Sequence, residues 1–306
     1  MMRYSVLASG SSGNASLLEI GGFGLLIDAG LGPRQLASRL ASIGASWKNV
    51  NAVVLTHTHG DHWKERSLAN LCSNRIPLYC HAEHHEVLDR SSDSFAALRR
   101  AGLVRSFERD QLLAFTPDLK CLPLELKHDS EPTFGFRIEA SGGLFGTTWT
   151  LAYFADLGCW SQELVDAAVG ADILALEFNH DEEMERASSR PVELIDRVLG
   201  DYGHLSNDQA GRFLKAVLER STPGILQHVV QLHLSRECNR HYLAQAAARQ
   251  VLNGNSENIG LHTARQDWAG PSLSLDLAPV RAPKISRPAS RNRRVTTPRP
   301  SLPGLE

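Results

Sequence analysis

Residues 56–62 read Thr-His-Thr-His-Gly-Asp-His and follow directly on the apolar run Ala52–Leu55. Three histidines and an aspartate within six residues, where a strand gives way to a loop, make the donor set of a pre-formed divalent metal site. Imidazole and carboxylate suit zinc or manganese, and no cysteine lies near enough in sequence to make the site rich in thiolate. A histidine-rich surface turn would fit a lone His-x-His better than it fits this set.

Around that loop the chain alternates short aliphatic runs with helical patterns. Strands are predicted over 3–8, 15–20, 23–27 and 52–55, and again over 103–107, 119–126, 134–139, 149–155, 172–176, 227–232, 258–263 and 272–276. Helical spacing covers Pro33–Ile43, Ala82–Ala101 (as two helices), Gln162–Val169, Pro191–Leu199, Asn207–Glu219 and Asn239–Leu252. Strands come first as a meander, helices follow, and the second half repeats the scheme loosely. That order predicts an α+β fold with two β-sheets face to face and helices on both outer faces, a four-layer αββα sandwich. Ser9-Gly-Ser-Ser-Gly-Asn14 resembles a phosphate-cradling loop, but the next residues read as two more strands and not as a helix, which excludes a dinucleotide-binding unit.

One domain is expected over 1–278. Residues 279–306 hold six of the fourteen prolines and seven basic residues against one acidic, with almost no apolar periodicity, so a disordered basic tail is expected there. The bland net charge of −2 therefore conceals an acidic body, with 25 basic and 33 acidic residues in 1–278. The five cysteines, Cys72, Cys80, Cys121, Cys159 and Cys238, are odd in number and scattered, which argues against a disulfide framework. No apolar run is long enough to span a membrane, and Met1–Asn14 carries no secretory pattern, so a cytoplasmic protein is expected.

The motif His57-Thr-His-Gly-Asp-His62 resembles the HxHxDH motif of the metallo-β-lactamase-fold hydrolases, and four more segments resemble that family's motifs in order. Asp28 ends the strand Phe23–Ile27; His128 opens HDSEPTFGF; Asp156 lies in YFADLG; His233 lies in QLHLSRECN. The resemblance implies one metal held by His57, His59 and His128, a second held by Asp61, His62 and His233, and Asp156 shared between them. Asp28 would orient the histidine loop through hydrogen bonds without touching metal. Two divalent ions, zinc or manganese, would then supply a bridging hydroxide as nucleophile. SGSSGN, LLIDAG, LEFNHDEEM, GHLSND and HLSRECN are further similar to the YycJ/WalJ-like exonuclease subfamily, related to ribonucleases Z and J. This implies a nuclease acting on phosphodiesters, with DNA as the partner. The last motif departs from the family's usual HLS followed by asparagines, and the β-CASP insertion of the ribonuclease J group is absent between Asp156 and His233.

A leaving alkoxide needs a proton, and His180 and His204 are the candidate donors. Each is a histidine near a carboxylate in the second half, with Glu177 and Asp181 flanking His180. Ser9, Ser11, Ser12 and Asn14 are candidates for binding a phosphate, as are free N–H groups at the start of the helix from Asn207. His81, His84 and His85 read as surface residues. The expected activity is a dinuclear metal-dependent DNA exonuclease. Its rivals are a small-molecule phosphodiesterase or thioesterase with the same metals, and a non-catalytic binding protein that retains the fold.

Overall fold

A computed structural model describes residues 2–130, 132–142, 147–253 and 259–275, so the segment 279–306 lies outside the described residues. β1 (Met2–Ala8), β2 (Ala15–Ile20) and β3 (Phe23–Ile27) form an antiparallel meander. Ile20 pairs with Phe23, so the β2–β3 connection is the two-residue loop Gly21-Gly22, with φ of 56° and 84°. That is the tight hairpin that two positive-φ residues permit. α1 (Pro33–Ser42) then crosses to β4 (Ala52–Val54), which lies parallel to β3. α2 (Glu65–Ser73), β5 (Leu78–His81), α3 (His84–Ser91), α4 (Asp93–Arg100) and β6 (Val104–Phe107) continue the parallel part.

The second half repeats this plan. β7 (Leu113–Thr116), β8 (Leu119–Leu126), β9 (Thr133–Gly142) and β10 (Thr147–Phe154) are antiparallel. Beyond α5 (Gln162–Ala168) come β11 (Ile173–Glu177), α6 (Glu182–Arg186), α7 (Val192–Leu199) and α8 (Asn207–Arg220). β12 (His228–Leu232), α9 (His241–Leu252) and β13 (Gly260–Thr263) close the parallel part, and β14 (Leu273–Leu275) returns to pair with β1. The strand orders are β14-β1-β2-β3-β4-β5-β6 and β13-β12-β11-β10-β9-β8-β7.

Both faces of each sheet are covered, which is why the strands read as continuous apolar runs. Alternate residues split between layers: Tyr4, Leu18, Ile27 and Val54 meet Phe134, Phe136, Leu151 and Leu232 between the sheets. Their neighbours Leu17, Leu26 and Val53 face α1, α2 and α4 through Leu36, Leu68 and Phe95. On the other side Leu174, Leu176 and Val229 meet Leu164, Phe213 and Ala248 of α5, α8 and α9. Three apolar layers between four structural layers are the expected αββα sandwich. Among the described residues no helix is long and apolar enough to cross a membrane, and all five cysteines are free.

Four elements are not predicted from the sequence: α2, β5, β7 and α6. Each has nine residues or fewer, too few to establish a period against its flanks. The strand β5 and the start of α3 change the reading of their histidines. His81 and His84 are buried at 3% and 2% exposure, not on the surface as expected. Their rings lie 4.9 and 6.0 Å from that of Phe134, and His84 Nε2 bonds the Pro132 carbonyl at 2.8 Å.

Candidate metal centre

Asp28, the 56–62 loop, Asp156, Glu177 and His233 all lie at the carboxyl ends of strands β3, β4, β10, β11 and β12. In open α/β sheets this is the edge where side chains from neighbouring strands converge on one crevice. Three of them, Asp28 (φ 61°), Asp156 (φ 60°) and His233 (φ 54°), hold a left-handed backbone that side-chain-bearing residues disfavour. Such a conformation costs about 1–3 kcal/mol per residue and persists where the surroundings over-determine it.

The loops are fastened to one another by main-chain bonds. Asp28 N–H donates to Val54 O at 2.9 Å, Ala29 N–H to His62 O at 2.8 Å, Asn14 N–H to Asp61 O at 2.8 Å and Gly30 N–H to Asn14 O at 2.9 Å. Gly30 has no room for a side chain: a Cβ there would stand 1.7 Å from Asp61 O. The Asp28 carboxylate is fully buried, accepting from Thr56 N–H at 2.8 Å and from His62 Nδ1 at 2.8 Å. The Thr56 hydroxyl lies 3.0 Å from Asp28 Oδ2 and 3.0 Å from His57 Nδ1. A hydroxyl has one proton, and the carboxylate takes it, so His57 Nδ1 donates to Thr56 and its Nε2 keeps a free lone pair. His128 Nδ1 likewise donates to Gly203 O at 2.9 Å, turning Nε2 toward His57 and His59.

Four groups of donor atoms result, each within 4.8 Å of one another: His57, His59 and His128; His57, His62 and Asp156; Asp61, His62 and His233; and Asp156, Glu177, His204 and His233. Asp156 shares one of these groups with His57 of the first triad and His62 of the third, and places Oδ2 3.2 Å from His62 Nε2 and Oδ1 3.3 Å from His233 Nε2. His57 Nε2, Asp156 Oδ2 and His233 Nε2 are buried without a well-aligned hydrogen bond, the last two meeting only the ion-pair contacts just given. Buried polar atoms without partners are rare and costly, and three of them converging in one donor cluster fit divalent cations.

Charge follows the same geometry. Burial, then the neighbouring His62, holds His57 well below the ordinary imidazole range. Burial would lower His62 too, but Asp28 and Asp156 on either side carry it up to about 10. Burial would raise the Asp156 carboxyl, yet His233 and His62 hold it well below the usual carboxylate range. Glu177, also fully buried, is brought down against its burial to about 2, chiefly by His204.

Glu177 acts as a bracket. Its Oε2 accepts from Leu157 N–H at 3.0 Å and Leu205 N–H at 3.3 Å, and its Oε1 accepts from His204 Nδ1 at 2.8 Å. The His204 ring stacks on that of His233 at 5.2 Å and is 17% exposed, so it borders both the donor cluster and solvent. The histidine–carboxylate pairing expected around His180 is found here instead. His180 is 1% exposed with no hydrogen-bond partner on either ring nitrogen, because Asp181 turns away to cap α6 through Met184 N–H at 3.0 Å.

The serine-rich loop also differs from expectation. Asn14 is fully buried and its amide donates to Asp61 Oδ2 at 3.2 Å, so it steadies that carboxylate where a phosphate contact was expected. Ser9 Oγ accepts from the N–H of His233 at 2.8 Å, and Ser12 Oγ donates to Gln266 at 2.7 Å. Ser11 and Ser12 are exposed, while the N–H groups of Gly10, Gly13 and Asn14 are all used within the fold. The α8 N-terminus is closed as well: Ser206 and Gln209 form a capping box, and Asn207 N–H bonds His180 O at 2.8 Å.

Two residues of the site were missed from sequence. Thr56 holds Asp28 and His57 in register, as described above. Asp129 places Oδ1 3.2 Å from His128 Nε2 and 3.5 Å from His59 Nε2, and pairs with Arg197 of α7. An acidic residue directly after His128 was the available signal.

Residues 24–225 match the β-lactamase superfamily domain. The chain belongs to that family. As a member of this superfamily it is a hydrolase of the metallo-β-lactamase fold, a fold that implies divalent metal ions. It is similar to exodeoxyribonuclease WalJ of Streptococcus pneumoniae serotype 2, with 29% identity over 243 residues, 79% of this chain and 85% of that one. Exodeoxyribonuclease YycJ of Bacillus anthracis is 27% identical over 266 residues, 85% of this chain and 92% of its own. Among solved structures, the metallo-β-lactamase fold protein YhfI of Bacillus subtilis superposes with a TM-score of 0.61 at 18% identity, covering 88% of this chain and 98% of that one.

Proposed function

We propose that this superfamily member is a dinuclear metal-dependent nuclease that hydrolyses DNA phosphodiesters from an end. The observation that carries the reading is the pair of donor triads, His57/His59/His128 and Asp61/His62/His233, with Asp156 between them. These seven residues would hold two ions, zinc or manganese, and the similarity to two proteins named exodeoxyribonuclease supplies the substrate class. Ions in these positions would screen the phosphate charge and make a water nucleophilic near neutral pH. Asp28 and Thr56 fix the tautomers of His62 and His57, Asn14 steadies Asp61, and Glu177 orients His204. Residues 1–278 form the catalytic unit in this reading, the basic segment 279–306 adds non-specific attraction to a polyanion, and five free cysteines agree with a cytoplasmic setting.

His204 is the proposed proton donor to the leaving oxygen, since it joins partial exposure to a hydrogen-bonded carboxylate at the edge of the cluster. His204→Ala should lower kcat on DNA by about 10²-fold, within the usual range for a general acid. The deficit should shrink on bis-p-nitrophenyl phosphate, whose leaving group needs no proton, and metal content should stay at the wild-type level. An equal loss on both substrates, or an emptied metal site, would remove His204 from this role. His180, buried away from solvent, is a less favourable donor.

The end-labelled duplex is the deciding substrate for the whole reading. Stepwise release of nucleotides by the metal-loaded protein is expected; turnover of bis-p-nitrophenyl phosphate with no polynucleotide cleaved would instead favour the small-molecule phosphodiesterase. Chelation gives a test independent of turnover. The buried unpartnered atoms His57 Nε2, Asp156 Oδ2 and His233 Nε2 each cost about 1–3 kcal/mol. Returning zinc or manganese to chelated protein should therefore raise Tm by several degrees, and a Tm indifferent to metal would contradict the ligand assignment.

A further inference from the structure

A cavity of about 600 Å³ opens beside the metal centre and not within it. It shares Ser9 with the site, whose hydroxyl accepts from His233 N–H, and its floor is Leu234–Ser235, the residues directly after His233. Gln266 fastens that floor, donating to Leu234 O at 3.1 Å while accepting from Ser12.

Two kinds of side chain dominate the rim. Arg236, Arg240 and Arg265 are all exposed, against one lining carboxylate, Asp267, which pairs with Arg236 at 2.7 Å. Arg240 bonds main-chain carbonyls, including that of Asn239 at 2.6 Å, and among the described residues no carboxylate is paired with it or with Arg265. The acidic body of the chain makes a local surplus of two positive charges beside an acidic metal centre unusual in sign. Beside the arginines stand Tyr242 and Trp268, 68% and 53% exposed, with the Arg265 guanidinium 4.6 Å from the Trp268 ring centre. Exposed aromatic faces next to unpaired guanidinium groups are the two components that hold unpaired nucleotides: rings stack on bases, and cations follow the phosphates. A duplex hides its base faces in its own stack and cannot use the rings.

We propose that this cavity is a subsite for single-stranded DNA, which holds the strand running past the His233 loop while its scissile phosphate lies at the metal centre. The inference rests on the nuclease reading above and adds to it a place and a strandedness. Tyr242 and Trp268 would stack on bases, and Arg240 and Arg265 would hold phosphates of the same strand.

The test is equilibrium binding of fluorescein-labelled oligo(dT) to the full chain by anisotropy, across a salt series, beside a blunt duplex of equal length. Single-stranded DNA should bind more tightly than duplex. Trp268→Ala should weaken oligo(dT) binding about 5- to 100-fold with an unchanged salt slope, while Trp268→Phe restores most of it. Arg240→Ala should reduce the slope of log K against log salt by about 0.7, the loss of one phosphate contact on a single strand. Because residues 279–306 are present in every variant, the changes read only the substituted side chain. Wild-type affinity and slope in both variants, or duplex bound as tightly as oligo(dT), would overturn the proposal. Wild-type turnover on bis-p-nitrophenyl phosphate and on end-labelled DNA separates the two readings. A chain that binds oligo(dT) in this pattern yet cleaves no phosphodiester keeps the subsite and loses the nuclease; one that cleaves DNA with binding unmoved by either substitution does the reverse.

Discussion

Asp61→Ala is expected to reduce DNA hydrolysis to near background, a loss of roughly 10³-fold or more, or about 4 kcal/mol of barrier. Asp61 Oδ2 lies 3.5 Å from His233 Nε2 and 3.7 Å from His62 Nε2, so its removal breaks one donor triad and leaves the other complete. The fold should survive, because the main-chain bond from Asn14 N–H to Asp61 O does not involve the carboxylate. Bound metal should fall toward one ion per chain, read by elemental analysis of the dialysed protein. Full activity in this variant, or two ions retained, would show that Asp61 is not a ligand.

Gly30→Ala should be the most damaging single-methyl change near the centre. The added carbon would stand 1.7 Å from Asp61 O and 2.7 Å from Asn14 N, both main-chain atoms that cannot swing aside. Relieving such overlap must separate the strand ends that carry Asp28 and Asp61, with a stability loss of roughly 3 kcal/mol or more. For a chain of 306 residues that is a fall in Tm of about 5 °C or more. Gly60→Ala is the control: it lies in the same histidine loop, but a Cβ there meets nothing within 4 Å. Equal Tm values for the two variants would mean that the contact between the Gly30 and Asp61 loops does not hold the site together.

The sequence was most informative where chemistry is local. His57, His59, Asp61 and His62 fall within one turn of loop after one strand, and their spacing alone announces a cation. Asp28, Asp156 and His233 were recognisable through their motifs, each ending an apolar run that both sheet faces bury. What could not be read was which partner each polar atom would take. Asn14 and Asp61 are 47 residues apart, yet the amide of one lies against the carboxylate of the other. His180 and His204 were both candidate proton donors; the course of the chain through α6 and α7 brings His204 to Glu177 and leaves His180 enclosed without a partner. Asp129 and Thr56 sit beside proposed ligands, and only the folded arrangement distinguishes their contacts from those of ordinary polar loop residues. The burial of His81 was missed because β5 was missed, and a four-residue strand gives no period to detect; His84 opens α3, and its contact with Phe134 comes from the other sheet.

The left-handed backbone at Asp28, Asp156 and His233 bears on any attempt to make this protein withstand heat. Glycine tolerates that conformation freely, so glycine at any of the three positions would relax the main chain. At Asp28 it would leave Thr56 N–H and His62 Nδ1 buried without their acceptor, and at Asp156 or His233 it would delete a donor, so the strain can be relieved only by dismantling the donor cluster. Heat tolerance would have to be gained instead in the helices on the outer faces, where α1, α4 and α8 can be improved without disturbing the strand ends.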